Sequence, residues 1–202
     1  MFVKVCGLRT QADVKAAADA GADAVGFVFA ESVRKISVDD ARRLAARTPA
    51  NILTVGVFRD IPAAMAGEIA TTVHLDAIQL HGDYPRAAFA ELADHPAMLI
   101  RATALKPETN ITVGAYGEEL LLLDSPAPGS GKRWDLAELT NRPTGKWLLA
   151  GGLTPANVAT AIATANPWGV DVSSGVESSR GVKDPGLIRE FVAAARESAP
   201  IG

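Results

Sequence analysis

The hydrophobic pattern of the chain alternates between short apolar runs and longer segments in which apolar residues recur every three or four positions. Continuous apolar runs of four or five residues are typical of strands that are buried on both faces of a parallel sheet. The longer spacing is typical of amphipathic helices. The predicted strands are residues 3–6, 24–28, 53–57, 77–80, 98–101, 120–124, 147–150 and 169–172.

The segments between these strands carry helical faces and, in places, capping residues. Thr10 and Ser37 are predicted to cap the first two helices, and Pro155 is predicted at the first position of the seventh. Residues 103–119 are polar and lack a clear helical face, so the fifth crossover is predicted to be abbreviated. The predicted faces are Val14, Ala17 and Ala18; Val38, Ala41, Leu44 and Ala45; Ile61, Met65 and Ile69; and Leu187, Ile188, Phe191, Val192 and Ala195.

Strands that alternate with helices imply right-handed βαβ units and a parallel sheet. Eight such strands favour closure into a single (β/α)8 TIM barrel, and an open doubly wound sheet is the alternative that the pattern leaves. No linker or low-complexity tract interrupts residues 1–202, so we expect one domain.

Composition narrows the possible partners. The net charge is −3 and the Lys and Arg residues are scattered, which argues against a nucleic-acid surface. No apolar run approaches the roughly 20 residues of a membrane span, and the start shows no basic leader. We therefore expect a cytoplasmic protein that binds a small molecule and neither membrane nor nucleic acid, as a monomer or a homodimer.

Glycine-rich turns follow the seventh and eighth predicted strands. In a TIM barrel, functional groups lie at the carboxyl ends of the strands, and these two turns are the usual phosphate site. The backbone at Gly152 and the groups of Ser173, Ser174 and Gly175 could hold a phosphate. The alternative is that these are tight turns that need positive φ angles.

A thiol and a carboxyl group end two other predicted strands, at Cys6 and Asp124. A cysteine can act as a base where positive charge stabilises its thiolate, and an aspartic acid can donate a proton where an apolar pocket raises its pKa. Opposed acid and base groups suit proton shuttling, which needs neither a metal nor an organic cofactor. A packed thiol and a loop-capping aspartate are the alternatives.

Two further residues are weaker candidates. Arg34 could bind a carboxylate through two hydrogen bonds, or be a solvated loop residue. His81 could line the site or be a structural histidine. No His, Cys, Asp and Glu residues have the spacing of metal ligands, so we expect no metal site.

Motifs along essentially the whole chain resemble the phosphoribosylanthranilate isomerase family. Several of them are weak alone, but their order makes the set specific. They read KVCGL at 4–8, GAD at 21–23, GFVF at 26–29, VGVF at 55–58, QLHG at 79–82, LLD at 122–124, LAGGL at 149–153, GVDVSSGVE at 169–177 and GVKD at 181–184.

The resemblance implies a cofactor-free Amadori rearrangement in tryptophan biosynthesis, from N-(5-phosphoribosyl)anthranilate to 1-(2-carboxyphenylamino)-1-deoxyribulose 5-phosphate. It implies that Asp124 is the general acid and Cys6 the general base. It also implies that Arg34 faces the anthranilate carboxylate, that Asp171 holds a sugar hydroxyl, and that the two glycine-rich turns bind the phosphate.

The sequence departs from the family pattern in two loops. Val33 stands where the family often has proline, and Trp134 stands in place of a phenylalanine. Two other functions stay open: a sugar isomerase of histidine biosynthesis or of dual specificity, and a barrel that binds phosphorylated ligands without catalysis. The histidine-pathway enzymes place an aspartate where this chain has Cys6.

Overall fold

Eight parallel strands close into a barrel in chain order. The computed structural model describes residues 1–106, 108–125 and 142–198. The barrel closes where β1 pairs with β8, from Phe2 beside Gly169 to Val5 beside Val172. The TIM-barrel prediction is therefore confirmed, and the open-sheet alternative is wrong. The strands are β1 Phe2–Cys6, β2 Ala24–Val28, β3 Leu53–Phe58, β4 Ala77–His81, β5 Met98–Ala104, β6 Leu120–Asp124, β7 Trp147–Leu149 and β8 Gly169–Val172, with a small hairpin of β9 Glu177–Ser179 and β10 Val182–Lys183 after them.

Helices cover the outside of the barrel. Thr10 forms a capping box with Asp13, and the Ser37 side chain accepts from the Asp40 amide, so both predicted caps are confirmed. No helix in the described ranges is both long and apolar enough to cross a bilayer. The helices are α1 Gln11–Asp19, α2 Val38–Ala45, α3 Ala63–Val73, α4 Arg86–Ala90, α5 Val158–Ala165 and α6 Pro185–Glu197.

The prediction for Pro155 is wrong, because α5 begins only at Val158. The residues before it form a turn that the Asn157 side chain holds. Its Oδ1 accepts from the Thr154 amide at 2.8 Å, and its Nδ2 donates to the Gly152 carbonyl at 2.9 Å. These two hydrogen bonds of Asn157 thus fix the conformation of the loop that carries Gly152.

The predicted face of α3 is wrong at Met65, whereas Ile61 and Ile69 pack against the core as predicted. Met65 is 49% exposed, and the residues that face the barrel include Ala66, Ala70 and Val73. Ile61 precedes the helix. Small residues let a helix approach a sheet closely, whereas the prediction gave weight to the large apolar residues.

Side chains on the strands divide between the barrel interior and the layer under the helices. In β6, Leu120 and Leu122 belong to the interior cluster, whereas Leu121 and Leu123 pack in the layer under the helices. Because successive side chains of a strand point to opposite faces, Asp124 continues the interior set. The same alternation places polar groups at the interior ends of β1, β4 and β8.

A buried arginine organises the abbreviated fifth crossover. No helix lies between β5 and β6 in the described residues 105–106 and 108–119. Arg101 points into this segment instead, where its Nε donates to Glu118 Oε1 at 2.7 Å and its Nη1 and Nη2 donate to the carbonyls of Asn110 and Thr112. The guanidinium also lies over the Tyr116 ring. These bonds fix an irregular segment where a helix would otherwise cover the strand.

Candidate active site

One cavity, of about 200 Å³ and open to solvent, lies at the carboxyl ends of the strands. It gathers eight of the nine predicted site residues; Gly175 is the exception. The eight are Cys6, Arg34, His81, Asp124, Gly152, Asp171, Ser173 and Ser174. Residues that were predicted from separate segments of the chain are thus brought to one place.

The Cys6 thiol lies at the interior end of β1 and is almost completely buried. Gly26 on the adjacent strand makes room for it, since a Cβ there would lie 2.8 Å from the sulfur. Burial raises the pKa of Cys6 above the ordinary value of 9.0, the charge of Lys4 opposes that rise, and Asp171 adds to it. The free protein therefore carries Cys6 as a neutral thiol at pH 7.

The Asp124 carboxyl lies at the interior end of β6. Its Oδ1 accepts from the Ser125 amide at 2.7 Å. Gly151 lies so close to this oxygen that a Cβ atom at position 151 would be only 2.7 Å from Oδ1. Burial raises the pKa of Asp124 to about 6, against the effect of the Ser125 hydrogen bond. A carboxyl group with this pKa keeps an appreciable protonated fraction near neutral pH and can donate a proton.

His81 lies beside Asp124 at the end of β4. Its Nε2 is 3.7 Å from Asp124 Oδ2, which is too long for a direct hydrogen bond. Burial, and after it the charge of Arg59, lower the pKa of His81 to about 4, so the imidazole is neutral. His81 therefore lines the cavity as a neutral, polar imidazole.

Gln79 also lines the cavity, and sequence reasoning missed it. Its Nε2 lies 3.4 Å from His81 Nδ1, and its buried Oε1 has no hydrogen-bond partner among the described residues. The signal in the sequence is its position two residues before His81, on the same face of β4. A buried amide with a free acceptor can receive a hydroxyl group of a ligand.

Arg34 is held by Glu177, a contact that the sequence did not predict. Its Nε and Nη2 donate to the two carboxylate oxygens at 2.6 and 3.0 Å. Glu177 also accepts from Lys183 Nζ and from the Gly181 amide. Burial alone would raise the pKa of Glu177, but these hydrogen bonds lower it to about 2. Nη1 of Arg34 has no acceptor within the described residues, and the side chain lines the cavity.

The two glycine-rich turns touch each other. A Cβ at Gly175 would lie 1.7 Å from the Leu153 carbonyl oxygen, so only glycine permits this approach. Gly152 has φ +65°, a region that favours glycine. Within the described ranges, the amides of Gly152 and Ser174 have no hydrogen-bond acceptor. Free amides at adjacent turns suit a phosphate, whereas the Ser173 hydroxyl donates to the Cys6 carbonyl at 3.2 Å.

We expect Gly175→Ala to separate these turns and to weaken the binding of inorganic phosphate at least tenfold. Overpacking of this kind costs about 1–3 kcal/mol of stability, which thermal unfolding would show. Gly21→Ala is the control, because its site has a positive φ but no atom within 4 Å of the new Cβ. Equal phosphate affinity in both variants, measured by calorimetry, would remove the turns from the anion site.

Comparison with known proteins agrees with this geometry. A sequence model of the N-(5'-phosphoribosyl)anthranilate (PRA) isomerase family matches residues 3–194. The N-(5'-phosphoribosyl)anthranilate isomerase of Roseiflexus sp. (strain RS-1) is 46% identical over 98% of each chain. The chain belongs to the phosphoribosylanthranilate isomerase family.

Solved structures agree with this family assignment. The crystal structure of TrpF from Jonesia denitrificans is 51% identical, covers 98% of each chain and has a TM-score of 0.91. A phosphoribosyl anthranilate isomerase in complex with reduced 1-(o-carboxyphenylamino)-1-deoxyribulose 5-phosphate is 33% identical with a TM-score of 0.81, and covers 98% of this chain and 99% of that one. Members of the family are therefore close in fold over their full length.

The two departures from the family pattern fall on different parts of the structure. Val33, in place of proline, is 42% exposed, and its carbonyl packs against Gly181 of the β9–β10 turn. The Ser32 hydroxyl accepts from the Arg34 amide at 3.1 Å. Contact with the β9–β10 hairpin thus restrains this loop, in place of the proline ring that the family often has at position 33. Trp134, like residues 126–141 as a whole, lies outside the described residues.

Proposed function

We propose that the protein converts N-(5-phosphoribosyl)anthranilate to 1-(2-carboxyphenylamino)-1-deoxyribulose 5-phosphate, an Amadori rearrangement in tryptophan biosynthesis. One observation carries the proposal. Cys6 on β1 and Asp124 on β6 share one cavity, and burial gives Asp124 the raised pKa that an acid needs. The protein supplies the acid and the base, and the proposed mechanism uses no cofactor.

In the proposed mechanism, Asp124 protonates the ribose ring oxygen, and the C1–O bond breaks to give an open-chain Schiff base. The Cys6 thiolate then removes the proton from C2, and the electron pair moves toward the iminium nitrogen to give an enolamine. Tautomerisation to the ketone adds a proton at C1 and removes one from the C2 hydroxyl. No electrons enter or leave, so acid–base groups suffice.

Binding groups surround this acid–base pair. The turns at Gly152 and at Ser173–Gly175 take the phosphate through free backbone amides. The free Nη1 edge of Arg34 takes the anthranilate carboxylate. Because Glu177 is shared by Arg34 and Lys183, the three groups keep one net positive charge, and this contact combines hydrogen-bond geometry with that charge. Asp171, with Gln79 and His81, takes the sugar hydroxyls.

We expect Arg34→Ala to raise KM at least tenfold and to change kcat less, because a charge-assisted hydrogen bond contributes about 1.5–3 kcal/mol. Steady-state kinetics measure both constants. Ribose 5-phosphate, which lacks the anthranilate group, is the control ligand and should inhibit both proteins equally. Unchanged kinetics in Arg34→Ala would exclude the arginine from the site.

The pKa shifts also predict the pH dependence of kcat/KM. The active form has Asp124 protonated and Cys6 ionised, yet Asp124 titrates near 6 and Cys6 above 9.0. Between these values, the protonated acid falls tenfold per pH unit while the thiolate rises tenfold, so kcat/KM stays level. Below about pH 6 the acid is fully protonated and only the thiolate still falls, so kcat/KM drops.

Steady-state kinetics from pH 5 to 9 test this profile. The inhibition constant of ribose 5-phosphate over the same range corrects for ionisation of the ligand phosphate. A corrected profile that stays level down to pH 5 would contradict the assignment of Asp124.

The function itself is tested with two substrates. The purified protein is mixed with freshly generated phosphoribosylanthranilate or with the aminoaldose substrate of the histidine pathway, and products are identified by mass spectrometry after borohydride reduction. We expect the reduced ketose product from the first substrate alone. Turnover of the second would favour the dual-specificity alternative, and phosphate binding without any turnover would favour the non-catalytic barrel.

The proposal also covers location and assembly. We place the enzyme in the cytoplasm and treat residues 1–202 as one catalytic domain. Its state is a monomer or a homodimer; a related enzyme from Thermotoga maritima is dimeric. Light scattering coupled to size exclusion measures which of the two forms exists.

A further inference from the structure

Lys4 places a fully buried ammonium group under the proposed active site. It lies two residues before Cys6 on β1, so both side chains point into the barrel. Its Nζ lies 2.7 Å from Asp171 Oδ1, and its charge acts on the Cys6 thiol, the next side chain on the same face of β1. The ammonium therefore interacts with both a carboxylate and the thiol.

Stability alone does not explain this buried pair. Taking two charges out of water costs several kcal/mol per ion, and well-packed apolar residues are often at least as stable. Apart from the polar groups that line the cavity, the interior side chains of the strands are mainly alanine, valine, leucine and isoleucine. Lys4 and Asp171 depart from this pattern at the level of Cys6.

The charged groups around Cys6 differ in how strongly they can stabilise its thiolate. The thiolate of Cys6 would interact with the charges of Lys4, Asp171, Lys183 and Arg34. Arg34 and Lys183 share the single carboxylate of Glu177, which offsets one of their two positive charges. Burial raises the pKa of Cys6 most. Among the charged groups, Lys4 lowers this pKa most strongly, and Asp171 raises it. The ionisation of Cys6 therefore depends mainly on how Lys4 divides between two anions.

We propose that Lys4 is a positioning residue whose ammonium is the counter-ion of the Cys6 thiolate. Asp171 binds the same ammonium and so weakens its stabilisation of the thiolate. The inference rests on the proposed function only in naming Cys6 as the base. When the thiol loses its proton, the lysine ammonium stays protonated and moves toward the sulfur. When the thiolate takes the C2 proton, the ammonium returns to Asp171.

Alkylation with iodoacetamide tests this role without any substrate. Only the thiolate attacks the reagent, forming a carbon–sulfur bond and releasing iodide. Cys6 is the single cysteine of the chain and lines the cavity, so the pH dependence of the rate reports its pKa directly. We expect Lys4→Met to raise the inflection by about 1–3 pH units and Asp171→Asn to lower it, as opposite and like charges do.

The controls separate this role from a merely structural one. Lys15→Met removes an exposed lysine that pairs with Asp19, and it should leave the inflection unchanged. Lys4→Met leaves Asp171 buried without its partner and can fail to fold. The Lys4→Met/Asp171→Asn double variant avoids this, and the comparison with Asp171→Asn isolates Lys4. Circular dichroism and thermal unfolding check that each variant is folded.

The outcomes distinguish the inference from the function. Equal inflections in Asp171→Asn and the double variant would overturn the role of Lys4, even in a fully active isomerase. Shifted inflections in a protein without isomerase activity would leave the role of Lys4 standing and contradict the function. In an active enzyme, the alkaline limb of kcat/KM should shift with the alkylation inflection.

Discussion

We expect the Cys6→Ala variant to lose at least about 100-fold in kcat, the lower end of what a general base contributes. Alanine keeps the backbone of β1 but removes the only group placed to take the C2 proton in this account. Cys6→Ser is a stricter variant, since a hydroxyl group of nearly the same size ionises far less readily than a thiol. Steady-state turnover measures the loss.

Two results would contradict this assignment of Cys6. Near-native turnover in Cys6→Ala would exclude the thiol as the base. An equal loss in turnover and in inorganic phosphate affinity would show that the variant disturbs the site as a whole. Circular dichroism then shows whether the fold is intact.

We expect Asp124→Asn to lose a similar factor, at least about 100-fold in kcat. The amide has the same shape, and its Oδ1 can still accept from the Ser125 amide, so the fold should be preserved. What it lacks is a proton to donate to the ring oxygen. Steady-state turnover and thermal unfolding together separate lost chemistry from lost stability.

Asp19→Asn is the matched control for this change, because Asp19 is an exposed helix residue that pairs with Lys15. It should leave turnover unchanged. If Asp124→Asn retained turnover, Asp124 could not be the acid, and its raised pKa would reflect burial alone.

Much of this site could be predicted from the sequence, because in a TIM barrel the place of a residue along its strand determines which end of the barrel it occupies. The carboxyl end of each strand reaches the same mouth, so Cys6, His81, Asp124 and Asp171 converge although they are far apart in the chain. The strand positions followed from continuous apolar runs, which mark strands buried on both faces. Neither step needs any knowledge of side-chain contacts.

The contacts between side chains could not be predicted in this way. Arg34 binds Glu177 at the start of β9, and Lys4 binds Asp171 on the neighbouring strand where β8 closes the barrel. These pairs depend on register between segments distant in the chain, which apolar periodicity does not encode. Gly175 was predicted as a phosphate-binding residue, but in the structure its lack of a side chain lets the Leu153 carbonyl approach.

The fifth crossover shows a different limit. The polar residues 103–119 showed that a helix was missing, but they did not show what replaced it. Arg101 appeared only as the last residue of a predicted strand, yet its guanidinium holds the segment through Glu118 and two backbone carbonyls. A single polar side chain thus holds a segment whose Ile111, Val113 and Tyr116 pack against the core, and no periodic pattern indicates it.

Isomerase activity and its base are measured together by the loss of anthranilate-type fluorescence when the protein is mixed with freshly generated phosphoribosylanthranilate, with Cys6→Ala measured beside it. We expect rapid loss with the wild type and almost none with the variant. Fluorescence that persists with both proteins, while inorganic phosphate still binds, would contradict the isomerase claim. Equal loss with both would keep the reaction but exclude Cys6 as its base.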